Sequence, residues 1–359
     1  MSPTGPQSDA RSALAMPSGS GFEAWRPQLQ GLCAELAVLL QGTLAVGSGK
    51  GPALDRAAAQ GLGDVTFGID IPAEAAVAAW HEEIARATPL SVMTEDNGWR
   101  HLIPDGKGGF TNTNSFDHGG PRIAFDPIDG TRNFMANMRS AWTVISFAGP
   151  GPGQPRFSEM LGGMVAELPT TREFLRRVLW AERGGSCTQE EWSVQSGKQT
   201  YSRILEVDQD NRADNGYFPF FRYQASLRPA VAQLEADFLG RLLSEEGADE
   251  GTLFDDQYIT NAGQMVLLAF GTYRVIVDPR PVVAARLGMS TTTAKPYDVA
   301  GAFLVAEAAG AVVTDLAGDP LDFPMDCSTP VAFAGWANRP TFERLLPHLT
   351  FALQRVQAP

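Results

Sequence analysis

PRIAFDPIDGTRNF, the stretch from Pro121 to Phe134, decides how the rest of this sequence is interpreted. Its apolar run from Ile123 to Phe125 predicts a buried strand. The strand delivers Asp126 to its end, and Pro127 stops the chain from pairing further because a proline has no N–H to donate. We therefore expect a rigid strand that holds an acidic side chain at its tip.

A second acid follows within the same turn. Asp129 lies three residues after Asp126, and a turn closed by Gly130 can direct both carboxylates and the carbonyl group of Ile128 toward one point. Such a point attracts a hard cation. Oxygen ligands suit Mg²⁺ or Mn²⁺, whereas zinc would recruit histidine or cysteine, and neither residue type lies nearby in the sequence.

The residues after the two acids predict an anion site beside the cation site. If Gly130 and Thr131 open a turn or a helix, their backbone N–H groups face an anion. Phosphate-ester chemistry needs such a pair of sites, because a metal neutralises the charged oxygens while N–H groups hold the phosphoryl group. The alternative is an ordinary turn, since Asp-Pro and Asp-Gly are common in turns. Six specified positions ending on Thr131 are harder to obtain from a turn alone.

The segment DPIDGTRNF resembles the signature of the magnesium-dependent, lithium-sensitive phosphatases typified by inositol monophosphatase, a superfamily that includes fructose bisphosphatases and bisphosphate nucleotidases. The haloacid dehalogenase-like phosphatases space their acids differently, and their second acid would fall on Ile128, which cannot transfer a proton. The resemblance implies an α+β fold layered as an α-β-α-β-α sandwich. It also implies two or three Mg²⁺ ions, with Mn²⁺ possible, and a homodimer.

Length and composition bound the organisation of the chain. At about 150 residues per domain, 359 residues predict two domains or one large one. Hydrophobic residues at 44% and charged residues at 19% are typical of a globular protein. We expect a disordered leader over residues 1–21, an N-terminal α+β domain with the DPIDGT motif over 22–195, and a C-terminal α/β domain over 196–359 with the last metal-binding acid and the substrate-reading residues.

Charge and cysteine usage restrict the partners and the compartment. The net charge of −13 argues against nucleic acid or an anionic membrane as a partner. It would also repel a phosphate at long range, so the small phosphorylated partner that the resemblance implies would need cations bound at the acids. The three cysteines are far apart and odd in number, so they are most simply reduced thiols of a cytoplasmic protein. The apolar segment from Leu32 to Val46 is too short for a membrane span, and it predicts part of a first helix from about Phe22 to Val46.

Hydrophobic periodicity predicts further elements along the chain. We expect helices at 73–87, 228–244, 262–270 and 298–309, and strands at 90–93, 142–148, 161–168, 174–182, 273–277 and 311–314. The segment from Pro279 to Lys295 is expected to be a loop.

The resemblance implies two more metal ligands far from the signature. Glu95 follows the strand that ends at Met93, where the family places its first metal-binding glutamate, and Asp96 is the fallback. The other acid is Asp298. The implied metal ligands are therefore Glu95, Asp126, the Ile128 carbonyl group, Asp129 and Asp298.

Asp298 belongs to a second motif that resembles the family. The segment KPYDVAG, from Lys295 to Gly301, matches a closing motif of an aromatic residue, Asp, two small or apolar residues and Gly, with Tyr297 in place of the usual Trp. An acid at a helix start is also an ordinary N-cap. The two roles are compatible.

A weaker match, DVTFGID from Asp64 to Asp70, resembles the family's Asp-x-x-Thr-x-x-Asp segment, but Thr66 is one place early. The resemblance implies that Asp64 helps to orient the attacking water, with Thr131 as its hydroxyl partner and Glu95 as a further catalytic acid. In the alternative interpretation the two acids of this segment simply end a strand and begin a helix.

The residues that contact substrate are implied less specifically. The strand that ends at Asp278 resembles the family segment that ends in a substrate-reading acid, with Asp in place of Glu. Asn261 joins the substrate-binding candidates, and the remaining candidates are Asp129, Gly130 and Thr131. The loop from Pro279 to Lys295 could receive a second phosphate or a polyol, or it could be surface, and the sequence leaves this open.

Together these features predict a Mg²⁺-dependent phosphomonoesterase that hydrolyses an inositol phosphate or a sugar phosphate or bisphosphate with metal-activated water. The alternatives are a 3′(2′),5′-bisphosphate nucleotidase and a catalytically silent pseudo-phosphatase that keeps the pocket. A nucleotide-using kinase is disfavoured, because the segment that ends at Lys50 lacks the Gly and the Ser or Thr that a phosphate loop needs at Leu44 and Gly51.

Overall fold

The structure is a computed structural model that describes Pro17 and residues 19–47, 57–60, 65–291 and 293–356. The statements below concern these residues. Most of the predicted leader, Lys50 of the glycine-rich segment and the predicted catalytic residue Asp64 lie outside them.

Helices and strands alternate irregularly along the chain. The described helices are α1 Phe22–Gly47, α2 Asp70–Ala85, α3 Thr131–Met135, α4 Arg228–Glu245, α5 Asn261–Ala269, α6 Arg280–Arg286, α7 Pro296–Ala308 and α8 Arg339–Arg355. The described strands are β1 Ala57–Gln60, β2 Val65–Phe67, β3 Leu90–Thr94, β4 Gly98–Pro104, β5 Phe110–Thr113, β6 Arg122–Asp129, β7 Ala141–Ala148, β8 Met160–Leu168, β9 Leu175–Glu182, β10 Cys187–Ser193, β11 Gln199–Leu205, β12 Gly216–Tyr217, β13 Leu253–Phe254, β14 Val275–Asp278, β15 Val312–Thr314 and β16 Phe333–Trp336.

In the described part of the chain, nine strands form one large sheet in the order β11-β10-β9-β8-β7-β6-β3-β4-β5. Its neighbouring strands are antiparallel except for β3 and β6, which run parallel. Parallel neighbours end at the same edge of a sheet. The turn after Thr94 and the acids at the end of β6 therefore lie side by side. The strand predicted from Ile123 to Phe125 is confirmed, since β6 is buried along its whole length.

The helices α1 and α2 cover one face of the large sheet. Buried side chains recur along α1 at spacings of three or four residues, so one stripe of the helix faces β7 and β8. The members of this stripe include Phe22, Trp25, Leu29, Cys33, Leu36 and Leu40. The first helix predicted from the sequence is confirmed, and it ends at Gly47.

On the opposite face, α5 and α7 pack closely against the strands. A Cβ atom on Gly301 of α7 would lie 2.1 Å from the carbonyl oxygen of Ile145, and one on Gly163 of β8 would lie 2.4 Å from the carbonyl oxygen of Gly301. The two glycines therefore allow backbone to approach backbone. This contact fixes the distance between α7 and the sheet.

A small antiparallel sheet of β14, β16 and β15 lies behind α5 and α7. Its far side is covered by α4, α6 and α8, with Trp336, Phe238 and Leu349 in the shared core. The order of layers is thus α1 and α2, the large sheet, α5 and α7, the small sheet, and α4 with α6 and α8. The predicted α-β-α-β-α sandwich is confirmed.

The chain leaves the large sheet after β11, at Leu205. The boundary predicted between residues 195 and 196 lies in the turn between β10 and β11. The strand β11 of the large sheet therefore falls within residues 196–359, which the sequence analysis assigns to the C-terminal domain. The division into two domains stays a prediction.

Two predicted elements differ from the structure. The segment from Pro279 to Lys295 was expected to be a loop, but it contains α6, whose first turn includes Pro281. A proline is tolerated there because the first N–H groups of a helix have no partner within the helix. For the same reason Pro72 lies inside the first turn of α2, which begins at Asp70 and not at Ala73.

Candidate active site

Acidic side chains from four separate elements line one cleft. The strand β6 supplies Asp126 and Asp129, the turn after β3 supplies Glu95, α2 supplies Asp70 and α7 supplies Asp298. The elements meet here because β3 and β6 end at the same edge of the large sheet.

Asp126 lies at the centre of this group of acids. It is 4% exposed, and its Oδ1 accepts a hydrogen bond from the backbone N–H of Ile128 at 2.9 Å. Burial raises the pKa of Asp126 well above its usual range, and the nearby carboxylates of Asp298, Asp129 and Glu95 raise it further. Mutual repulsion of this kind favours a cation between the carboxylates.

Asp129 joins the end of β6 to the start of α5. Its Oδ2 accepts hydrogen bonds from Thr260 Oγ1 at 2.5 Å and from the N–H of Ala262 at 2.6 Å, and its Oδ1 accepts one from the N–H of Asn261 at 3.2 Å. Burial raises the pKa of Asp129 to about 6, while these hydrogen bonds and the charge of Arg280 oppose the rise. The helix start thus stabilises a carboxylate in the wall of the cleft.

Glu95 and Asp298 complete the group of acids that the sequence predicts as metal ligands. Glu95 directly follows Thr94, the last residue of β3. Asp298 lies in the first turn of α7, where its Oδ2 accepts a hydrogen bond from the N–H of Lys295 at 2.7 Å. The structure therefore brings the predicted acids into one cleft, and their role as metal ligands stays a prediction.

Asp96, the fallback for Glu95, does not line the cleft. Its Oδ1 accepts a hydrogen bond from Thr66 Oγ1 at 2.6 Å. Thr66, the threonine that is one position early relative to the family's segment, is thus hydrogen-bonded to Asp96, while Glu95 lines the cleft.

The hydroxyl group of Thr131 lies between β6 and α2. Its Oγ1 is 2.8 Å from the carbonyl oxygen of Ile128 and 3.2 Å from Asp70 Oδ1. Burial raises the pKa of Asp70 to about 7. The resemblance implies Asp64 as the partner of Thr131, but Asp64 lies outside the described residues. In the structure the hydroxyl group of Thr131 contacts Asp70.

Gly130 meets a local backbone requirement between β6 and α3. Its φ of 98° is in the left-handed region that glycine adopts without strain. A Cβ atom here would also lie 2.9 Å from the Cβ of Thr260. The glycine therefore lets the β6 turn and the start of α5 approach each other. Whether the N–H groups of Gly130 and Thr131 bind phosphate stays a prediction.

Asp278 was predicted to contact substrate, but the structure places it behind the cleft wall. It is fully buried, and the side chain of Arg280, which does line the cleft, donates two hydrogen bonds to its carboxylate. The physical reason is that a buried carboxylate at the end of β14 needs a positive partner. Of these two residues only Arg280 lines the cleft, and a role of Asp278 in substrate contact stays a prediction.

Asn261 lines the cleft, as expected of a substrate-binding residue, and so does Thr293. Asn261 Oδ1 and Thr293 Oγ1 are both buried and have no hydrogen-bond partner among the described residues. Buried polar atoms in native proteins are usually paired, so such atoms in a cleft point to a ligand.

The donor set of the cleft suits a hard divalent cation. Its acids offer oxygen atoms, and neither histidine nor cysteine lines it within the described residues. In the described ranges, no three His, Cys, Asp or Glu side chains are close enough together to coordinate one ion. An ion would draw the carboxylates together. The chemistry of the residues fits Mg²⁺ or Mn²⁺.

The sequence analysis did not identify the contacts that two residues of this cleft make, Asp70 with Thr131 and Arg280 with Asp278. Asp70 was recognised as an acid at a helix start, but its contact with Thr131 depends on how α2 packs against β6. Arg280 follows the strand-ending Asp278 by two residues, and this spacing is the one local signal that could have indicated an ion pair.

Known proteins resemble this chain in fold more than in sequence. No family model and no curated protein matches the sequence. The fructose-1,6-bisphosphatase of Leishmania major shares 11% identity at a TM-score of 0.66, covering 94% of this chain and 96% of that one. An inositol monophosphatase–fructose 1,6-bisphosphatase shares 15% identity at 0.59, covering 90% and 99%. Inositol monophosphatase II of Staphylococcus aureus shares 16% identity at 0.56, covering 92% and 97%.

Identities this low show a shared fold and leave the substrate undecided. The architecture predicted from the DPIDGTRNF signature is confirmed by these matches. Among the described helices, none is long and apolar enough to span a bilayer.

Proposed function

We propose, on the premise that this chain has the fold of fructose-1,6-bisphosphatases and inositol monophosphatases, that it is a Mg²⁺-dependent phosphatase that hydrolyses a small sugar or polyol phosphate. The observation that carries the proposal is the convergence of Glu95, Asp126, Asp129 and Asp298 on one cleft. The carboxylates of Asp298, Asp129 and Glu95 raise the pKa of the buried Asp126, and cations bound between these acids would offset their repulsion.

The residues that would hold Mg²⁺ are Glu95, Asp126, Asp129, Asp298 and the carbonyl group of Ile128. When bound, the metal would stabilise the charge on the phosphoryl oxygens and lower the pKa of a water molecule. An all-oxygen donor set favours Mg²⁺ and also accepts Mn²⁺.

Thr131 and Asp70 would orient the attacking water. The hydroxyl group of Thr131 is held between Asp70 and the carbonyl oxygen of Ile128, so its direction is fixed. Asp70 is partly buried, and its raised pKa suits a group that accepts a proton near neutral pH. In this proposal Asp70, and not Asp64, helps Thr131 to orient the attacking water.

Phosphate release from a panel of phosphomonoesters tests the proposal. With Mg²⁺ we expect hydrolysis of sugar or polyol phosphates, abolished by EDTA and suppressed by lithium. Asp126→Asn should lower kcat/KM by about 100-fold or more, because it removes a charge that stabilises the transition state through the metal. Asp117→Asn changes an exposed acid outside the cleft and is the matched control. Full activity of the Asp126 variant would contradict the proposal.

The same panel separates the alternatives. Preferred hydrolysis of 3′,5′-bisphosphorylated nucleosides would indicate a nucleotidase. Binding of Mg²⁺ and phosphate without turnover of any ester would indicate a silent pseudo-phosphatase. The predicted homodimer is tested by light scattering, which should give twice the 38.5-kDa mass of the chain.

A further inference from the structure

The large sheet ends in a strand that has no neighbour on its outer side. Among the described strands, β11 pairs with β10 alone, and it stands last in the strand order. Alternate N–H and C=O groups of such a strand have no partner within the sheet. Proteins usually protect an exposed edge of this kind, because it can pair with a strand of another chain. The outer edge of β11 therefore calls for an explanation.

The two ends of the large sheet differ in this respect. The strand β5 at the other end has four residues, and its first and last residues are partly buried. The strand β11 has seven residues, and the first six are exposed. A short edge strand offers little length for pairing, whereas seven residues offer a ladder of several hydrogen bonds. The β11 end is thus the one suited to a further strand.

The composition of β11 favours pairing. The strand contains no proline, and its one charged residue is Arg203. Tyr201 is 46% exposed and Ile204 is 54% exposed. Aromatic and β-branched side chains of this type stabilise strands through contacts with cross-strand neighbours. A second strand at this edge would give both side chains such neighbours.

The sequence around β11 is complementary to itself when two copies run antiparallel. The segment KQTYSRILE extends from Lys198 to Glu206, with Ser202 at its centre. If a two-fold axis passes through Ser202, Lys198 of each copy stands opposite Glu206 of the other, and Tyr201 stands opposite Arg203. Each pair occurs twice, because the axis relates the two copies. Opposite charges across a ladder and an arginine beside an aromatic ring are both stabilising.

Neighbouring registers lack this match. If the axis passes through Arg203, the two copies of Arg203 face each other, and like charges directly opposite are destabilising. If the axis passes through Tyr201, Lys198 faces the apolar Ile204 and has no acid opposite it. The charges around β11 therefore favour the register centred on Ser202.

The geometry of the strand is compatible with this register. The ladder between β10 and β11 is irregular at Thr200 and regular from Tyr201 to Leu205. The central pairs about Ser202 therefore fall on regular strand. Lys198 and Glu206 lie just beyond the two ends of β11, and both are exposed. Their side chains are long and flexible, so they do not need a regular ladder in order to pair.

We propose that β11 is an interface between two copies of this chain, in which the two strands pair antiparallel about Ser202 and join the two large sheets into one. The partner is a second copy because the charges of the segment complement those of the segment itself. Within the described residues, β11 contributes nothing to the lining of the cleft. The inference is therefore independent of the proposed phosphatase function.

Sedimentation equilibrium over a series of concentrations tests the paired charges. We expect the wild-type protein to dimerise. Lys198→Glu should raise the dissociation constant of the dimer at least about tenfold, because it turns two attractive pairs into two repulsive ones. Glu206→Lys should act in the same direction. The double variant exchanges the two charges and should regain most of the wild-type affinity.

Lys107→Glu is the matched control for the change in charge. Lys107 is exposed in the turn between β4 and β5, at the opposite end of the large sheet. Its reversal changes the net charge by the same amount and should leave the dissociation constant unchanged. A wild-type protein that stays a monomer would leave the edge to a different occupant, such as a strand of another protein, and would overturn the inference. A double variant that dimerises no better than the single variants would also overturn it.

Cysteine cross-linking tests the register. The three native cysteines are buried, so a cysteine introduced on β11 is the accessible thiol. In Ser202→Cys the two Cβ atoms would face each other across the axis at about 4.5–5.5 Å, close to the distance that a disulfide spans. Diamide, which takes up the two electrons and two protons of the thiols, should link the two copies.

Ile204→Cys is the control for cross-linking by chance collision. It lies on the same face of the strand as Ser202 and is also exposed. In the proposed register its two copies stand four residues apart, or about 13 Å, which is too far for a disulfide. Linked dimers of Ser202→Cys without linked dimers of Ile204→Cys would support the register. A wild-type dimer that Lys198→Glu does not weaken, with no cross-link in Ser202→Cys, would place the interface on another surface and refute the inference.

Discussion

Thr131 connects the chemistry of the cleft to two elements through a single hydroxyl group. It lies within hydrogen-bonding distance of the end of β6 and of Asp70 at the start of α2. A residue in this position can fix the direction of a water molecule that attacks phosphorus. It is also small and partly buried, so it can be changed with little effect on the core.

Replacement of Thr131 tests this orienting role. Thr131→Val removes the hydroxyl group and keeps the shape, and we expect kcat/KM to fall by about 100-fold, as is typical when a group that directs proton transfer is lost. Thr131→Ser keeps the hydroxyl group and should stay within about tenfold of the wild-type value. Equal activity of the two variants in a phosphate-release assay would exclude the role.

At this scale the sequence predicted the acids better than their partners. Asp126, Asp129 and Asp298 are recognisable because each lies in a short motif with a defined spacing. The contact between Asp70 and Thr131 spans 61 positions. It depends on the packing of α2 against β6, which no local pattern contains.

The helix α2 carries a partly buried acid, Glu74, one turn after Asp70. Glu74 Oε2 accepts hydrogen bonds from Thr94 Oγ1 at 2.7 Å and from Asn97 Nδ2 at 2.9 Å. Burial raises the pKa of Glu74 from 4.5 to about 7. The folded state therefore holds a proton more tightly than the unfolded state. The ionised side chain destabilises the fold above pH 7, and this effect disappears as the pH falls from 7 to 4.5.

Glu74→Gln tests this sign. The amide oxygen can accept the same two hydrogen bonds without a charge, so the variant should have a higher Tm than the wild-type protein at pH 8 in EDTA. The difference should shrink as the pH falls from 7 and approach zero below pH 4.5, where the wild-type side chain is protonated in both states. A difference of equal size at both pH values would show that charge is not the cause.

The helix α7 positions Asp298 through a glycine contact. Gly301→Ala would bring a Cβ atom to 2.1 Å from the Ile145 carbonyl oxygen, so α7 must move away from the sheet. We expect the unfolding free energy to fall by at least about 1–3 kcal/mol. Activity should also fall, because Asp298 moves relative to Asp126. Urea unfolding and phosphate release measure the two effects.

Gly42→Ala is the matched control for this change. Gly42 lies inside α1 with open space where a Cβ atom would stand. The substitution should raise the unfolding free energy by about 0.5–1 kcal/mol, because alanine favours a helix more than glycine does. If Gly301→Ala raised the unfolding free energy as Gly42→Ala does, the claim that α7 packs backbone to backbone against the sheet would be contradicted.

Elements with strong periodicity were predicted well, and those with weak periodicity were not. The strands from Trp142 to Ala148 and from Leu161 to Leu168 and the helix from Arg228 to Ser244 agree with the structure within two residues at each end. The short helix α6 was missed, because seven residues show little periodicity. Its position is set by packing against the core of the small sheet.

The whole molecule places the cleft where its layers meet. The large sheet, α2, α5 and α7 each contribute residues to it. The layered fold could be predicted from the signature, because the resemblance covers the whole architecture. The wall formed by Arg280, Tyr223 and Phe221 could not, because it assembles segments from the small-sheet side that carry no motif.

Metal binding should stabilise this assembly as a unit, since the acids come from different layers. We expect Mg²⁺ to raise the Tm, with a gain of about 2.7 kcal/mol in unfolding free energy when its concentration is 100 times its dissociation constant. Asp126→Asn should lose most of this gain and Asp117→Asn should keep it. If the Tm of the wild-type protein did not change with Mg²⁺, this result would argue against a metal site that joins the layers.

The most direct test of the central claim is the anomalous scattering of crystals grown with Mn²⁺. The claim predicts peaks between the carboxylates of Glu95, Asp126 and Asp298, absent from crystals of Asp126→Asn grown in the same way. Crystals that bind Mn²⁺ elsewhere, or that show no peak in this cleft at saturating Mn²⁺, would contradict it.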